Sequence, residues 1–136
     1  AMIEDSEDSR TFTLSEARSL IPRLRKLLQR VSAERDVLVG LRAEVDRARE
    51  KADAGGGTPC GELYIAHMFT FTDAVQQIES LGVQIKDFRT GLVDFPYDHD
   101  GRIVYLCWKL DEDEIGYWHE VEAGFAGRQP LTDEFA

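Results

Sequence analysis

Thr13-Leu14-Ser15-Glu16 opens a stripe of apolar residues long enough to dominate whatever this chain folds into. In a capping box the threonine hydroxyl accepts from the amide three residues on, and the glutamate carboxylate there accepts from the threonine amide. The pattern therefore starts a helix near Leu14. Leu14, Ala17, Ile21, Leu24, Leu28, Val31, Leu38, Leu41, Val45 and Ala48 follow with a heptad-like spacing, which Arg35 interrupts. Pro22 lies inside this run, where it lacks an N–H and crowds the carbonyl of Arg18, so a kink or a restart is expected there. Ala52–Cys60, with three glycines and a proline, ends the pattern. Tyr64, Met68, Phe71, Val75 and Ile78 then predict a second helix over Glu62–Leu81, with Gly82 as its left-handed stop.

The two helices are unequal. At 1.5 Å per residue, Leu14–Glu50 spans about 55 Å and Glu62–Leu81 about 30 Å. A hairpin that closes at the glycine loop leaves Leu14–Val31 uncovered, although that half carries the densest apolar set. The segment attached at Leu81 must cover it, or a second subunit must. The far tip, around Val37–Ala54, is expected to protrude as an antiparallel coiled coil.

After Gly82 the period changes. Val83 and Ile85 alternate with polar residues as in a short strand. Leu92–Tyr97 and Arg102–Leu110 flank Asp98-His99-Asp100-Gly101, whose Asp-Gly pair is a hairpin turn signal. Val104, Leu106, Trp108 and Leu110 share one face of the last strand, and Ile103, Tyr105 and Cys107 share the other, so both faces are expected to be covered. Asp111–Glu114 reads as an acidic turn, Ile115–Glu122 as a further strand in preference to a short helix, and Gly124–Ala136 as irregular. The fold class that results is α+β. A long antiparallel, coiled-coil-like helical hairpin carries a small antiparallel β-sheet module at its open end. It reads as one domain over residues 1–136, with an acidic arm at 1–10, the hairpin at 13–81 with its Gly-rich connector at 52–60, and the β-module and tail at 82–136.

At 136 residues the chain is long enough to bury a core of its own. No apolar run approaches the ~20 residues that span a bilayer, and Ala1–Ser9 lacks the apolar region of a signal peptide. Two cysteines, Cys60 and Cys107, are too few for a disulfide framework, which points to a reducing, cytoplasmic setting. The net charge of −10 is unevenly spread. Residues 10–51 hold eleven Lys/Arg against six Asp/Glu, whereas residues 52–136 hold five against sixteen. This dipolar layout favours internal docking or self-association and disfavours nucleic acid, which wants a net basic face.

The opening TFTLSEARSLIPRLRKLL and the segment LGVQIKDFRTGLVDFPYDHDGRIVYLCWKLDEDEIGYWHEVEAGFAGRQPL together resemble the bacterial domain-of-unknown-function family numbered 2203. KD, GLVDFP, GR, LCW and YWH followed by G and GR occur in order. The chain departs at Asp111-Glu112, where the family often has a glycine before an acidic residue. The resemblance implies no established activity.

The chemistry-bearing residues crowd into Gly82–Leu131. His119, beside Tyr117-Trp118 and Glu120, has the surroundings of a metal ligand or a base tuned toward neutral pH. Asp87, Asp94, Glu112 and His119 could converge, with Arg102, on one ligand or one divalent cation held through oxygen and imidazole; Glu114 and Arg128 are secondary candidates. Against this, acids at strand ends commonly cap turns, and Arg102 and Arg128 suit ion pairs. Cys107 reads as a small buried hydrophobe rather than a nucleophile. GGGTP lacks the Lys and Ser/Thr of a phosphate loop. The leading functional reading is a non-enzymatic interaction or scaffold protein, a homodimer assembled through its helices. The alternative is a small-ligand- or metal-binding protein, with a hydrolytic enzyme as one variant, working through the β-module.

Overall fold

The computed structural model describes residues 10–51 and 59–136. Helix α1 runs over Leu14–Glu50 and helix α2 over Pro59–Ser80. Strands β1 (Gln84–Asp87), β2 (Leu92–His99), β3 (Arg102–Trp108), β4 (Tyr117–Glu120) and β5 (Gln129–Pro130) form one antiparallel sheet in that order. This is the expected α+β architecture.

The capping box forms as read. Thr13 Oγ1 accepts from the Glu16 amide at 3.0 Å, and Glu16 Oε1 accepts from the Thr13 amide at 2.8 Å. Phe12, just before the cap, donates its amide to the Pro96 carbonyl at 2.8 Å and meets Phe95 edge-on with ring centroids 5.4 Å apart. The start of α1 is thereby tied to β2. Pro22 does not restart the helix: α1 continues through it as one element. A single missing hydrogen bond on an exposed turn is outweighed by the apolar face that Ile21, Leu24 and Leu28 bury on either side.

The connector is shorter than expected. Residues 52–58 lie outside the described residues, but Pro59 and Cys60 belong to α2, which begins three residues before the expected Glu62. Proline suits a first helical position, where its missing N–H would have no partner. The helices run antiparallel. Glu34 meets His67 at 2.5 Å, and further along α1 Arg42 lines one groove with Tyr64. Gly82, at φ +93°, ends α2 in the left-handed conformation.

The sheet covers the proximal half of α1. Leu14, Ala17, Ile21, Leu24, Leu28 and Val31 share one buried cluster with Val93 and Phe95 of β2 and Val104, Leu106 and Trp108 of β3. α2 adds Ala74 and Ile78, and the loops add Val83, Ile115 and Phe135. The β2–β3 turn is a two-residue loop, Asp100-Gly101, with φ of +55° and +89°. Positive φ at both central positions matches the right-handed twist of the flanking strands. Asp98 Oδ1 accepts from the Gly101 amide at 2.7 Å and fixes the turn. The tail is more ordered than expected: short 3₁₀ turns at Phe125–Gly127 and Asp133–Phe135 flank β5, and Phe135 packs on Tyr97, His99 and Trp118.

Candidate functional site

The candidate site lies on the face of the sheet turned away from the helices. Side chains alternate along a strand, so the residues between the core positions project there: Asp94 from β2, Tyr105 and Cys107 from β3, Tyr117 and His119 from β4. The register sets Asp94 opposite Cys107 and Tyr105 opposite His119 across the central strand. An outer sheet face is ordinarily wet, yet Asp94 and His119 are each only 2% exposed and Cys107 is fully buried. Aromatic and cationic side chains cover them. Tyr105 lies against His119 with ring centroids 5.5 Å apart. Arg128 lays its guanidinium over the rings of Tyr117 and Phe125, at 4.0 and 4.7 Å.

Within this cover His119 Nε2 stands 3.0 Å from Asp94 Oδ2, and His119 Nδ1 stands 2.7 Å from the carbonyl of Glu120. A carbonyl only accepts, so Nδ1 carries a proton and Nε2 faces the carboxylate. Asp94 Oδ1 has no hydrogen-bond partner among the described residues. Asp94, Cys107 and His119 each bring a potential ligand atom into one group whose members lie within 4.8 Å of one another. Burial, and then the neighbouring Asp94 charge, push the Cys107 thiol up to about 12. On its own it keeps its proton at neutral pH, so thiolate attack with His119 as base is not the chemistry of this arrangement. The sign is that of a raised pKa: the contribution of the neutral thiol is complete below its unfolded value and is lost as pH rises through about 12. In a Cys60→Ser variant, a thiol reagent at pH 8 is expected to leave Cys107 unmodified until denaturant is added. Rapid stoichiometric labelling of the folded variant would contradict the burial.

The other sequence candidates do not join this group. Asp87 caps the β1–β2 turn, accepting from the Arg89 amide at 2.9 Å and the Thr90 hydroxyl at 3.1 Å. The Arg89 amide is the main reason that its carboxyl titrates lower than usual. Arg102 pairs with Glu120 at the surface, and Glu114 lies 3.7 Å from Arg18. Glu112 accepts from Arg128 at 2.8 Å and from the Lys109 amide at 3.0 Å. Arg128 also reaches the Cys107 carbonyl at 3.4 Å, which places the Glu112–Arg128 pair beside the buried group rather than in it. Of the five expected residues, Asp94 and His119 come together, with Cys107 beside them, while Asp87, Arg102 and Glu112 bond to other partners. The missed member was within reach: once Asp100-Gly101 is the turn, pairing His99 with Arg102 puts Asp94 opposite Cys107.

A model of the family described as uncharacterized conserved protein (DUF2203) matches residues 10–131, which include both helices and all three clustered residues. The chain belongs to the DUF2203 family. No curated protein and no solved structure matches it. Among the described residues no helix of this DUF2203 chain is long and apolar enough to cross a membrane.

Proposed function

We propose that this DUF2203 protein is a non-enzymatic interaction protein of the cytoplasm that self-associates through the distal part of its helical hairpin. The observation that carries the reading is the start of α2, which is apolar on its outward as well as its inward side. Tyr64 and Phe71 turn toward α1, while Ile65 is 57% and Phe69 73% exposed, and Leu63 and Met68 are exposed too. A helix that is apolar all round belongs in an interior, and Val37 and Val39 of α1 are also exposed.

The occupant that fits is a second copy of this chain. Each copy offers projecting side chains, Ile65 and Phe69, and also a groove between the helices lined by Leu38, Val39, Tyr64 and Phe71. A two-fold pairing uses both surfaces twice. The charges agree: Arg35 and Arg42 border the groove, and the exposed Glu62 and Asp73 flank the projecting residues on α2. Light scattering at tens of micromolar is expected to give twice the chain mass. Phe69→Glu is expected to give a monomer with unchanged helical circular dichroism, because a buried unpaired carboxylate costs an interface several kcal/mol. A wild-type monomer that stays folded at every concentration would overturn the reading.

A further inference from the structure

We propose that Asp94, Cys107 and His119 form a buried site for a divalent transition-metal ion of the zinc class. The site is separate from the helical surface and does not depend on self-association. Three observations converge on it. The ligand-type atoms already lie within 4.8 Å of one another. Ligands at 2.0–2.3 Å from a tetrahedral ion are roughly 3.3–3.8 Å apart, so the widest pair closes by about 1 Å on binding. His119 is oriented as a metal-binding imidazole is: Nδ1–H is held by the Glu120 carbonyl and Nε2 points at Asp94. Asp94 Oδ1 is buried with no strong donor among the described residues, which protein structures rarely tolerate, whereas a cation bound through that oxygen would satisfy it.

A proton alone accounts for less. Between Nε2 and Oδ2 it explains their 3.0 Å contact but leaves the second carboxylate oxygen only the Cys107 thiol, a weak donor. The charge balance also favours the metal. Without it the group holds one proton shared by Asp94 and His119 and one on the Cys107 sulfur. A dication displaces both, leaving carboxylate, neutral imidazole and thiolate around a 2+ ion. The buried site is neutral before and after, so no net charge is carried into the interior. Arg128, bonded to the Cys107 carbonyl, places a cation close to the new thiolate. A donor set of one sulfur, one nitrogen and carboxylate oxygen excludes magnesium and calcium, which want oxygen alone, and suits zinc or cobalt.

The test is a cobalt titration of chelator-treated full-length protein. Expected is one Co²⁺ per chain, with the near-ultraviolet absorption of a thiolate-to-cobalt charge transfer, displaced by Zn²⁺. The band persists in Cys60→Ser and is lost in Cys107→Val, which fills the same space. Asp94→Asn keeps the shape and a hydrogen bond to His119 while removing a charged ligand, and weakens cobalt binding by about tenfold or more. Absence of the band in folded wild type, its persistence in Cys107→Val, its loss in Cys60→Ser, or unchanged affinity in Asp94→Asn would each overturn the proposal. A monomeric protein that still gives the band would leave the metal site standing and remove only the self-association reading.

Discussion

His119→Ala is expected to lower the free energy of unfolding by about 3–5 kcal/mol, the loss typical of breaking a buried charged pair from one side. The imidazole is the strong partner of Asp94, and the Cys107 thiol is a weak one. Removal of the imidazole leaves a carboxylate that is 2% exposed with no strong donor, and it frees the Glu120 carbonyl as well. Asp94→Asn retains a hydrogen bond to the imidazole and is expected to lose about 1–2 kcal/mol. The double variant Asp94→Ala/His119→Ala should lose less than Asp94→Ala and His119→Ala together, because each of these single changes strands the other group. Urea unfolding at one fixed protein concentration, with unchanged slope, measures all four variants. Strict additivity would mean that the two side chains do not act as a pair.

The parts of this fold that could be read in the sequence are those where one local rule acts without competition. Thr13 and Glu16 set the start of α1 because both halves of the capping box are local. Asp100-Gly101 set the hairpin because few other residues accept positive φ at two successive positions. The unequal helix lengths required the β-module or a second subunit to cover Leu14–Val31, and the β-module does, because so much apolar surface cannot stay wet. Pro22 does not restart the helix, because its cost is fixed while the gain from the continuous apolar face beneath it is set by tertiary packing. Cys107 is the small buried residue that its strand position implies, but hydropathy counts it with Ile103 and Tyr105, and only cross-strand register shows that its opposite neighbour is a carboxylate. The position of His119 was not legible, since β3 and β4 are joined by an irregular loop rather than a tight turn. Nor was the cover on the outer face, where Arg128 lies on Tyr117 and Phe125 by contacts that follow no period. Asp87 and Arg102 took up local bonds, as charged groups at strand ends commonly do.

Trp108→Ala is expected to lose about 3–5 kcal/mol, through the cavity left by the largest fully buried side chain of the core. The reason reaches beyond volume. Trp108 Nε1 donates to the Glu112 carbonyl at 3.0 Å, and Arg25 of α1 lies 5.2 Å over the indole while donating to the carbonyls of Leu110, Glu112 and Asp113. The β3–β4 loop is thus held from the helix side through its backbone. From the outer side the same Glu112 is held through its carboxylate, by Arg128 and the Lys109 amide. Glu112, picked out from the sequence as a ligand candidate, joins the core to the cover over Asp94, Cys107 and His119. Trp108→Phe keeps most of the volume but drops the hydrogen bond, and should cost about 1–2 kcal/mol. Arg25→Met and Trp108→Ala should couple by at least about 0.5 kcal/mol in a double-mutant cycle, since they share the Glu112 carbonyl. Labelling of Cys107 in the Cys60→Ser background carries the argument to the outer face. If the loop transmits order from one side of the sheet to the other, Trp108→Ala should accelerate that labelling under native conditions, whereas a cavity confined to the core would leave it unchanged.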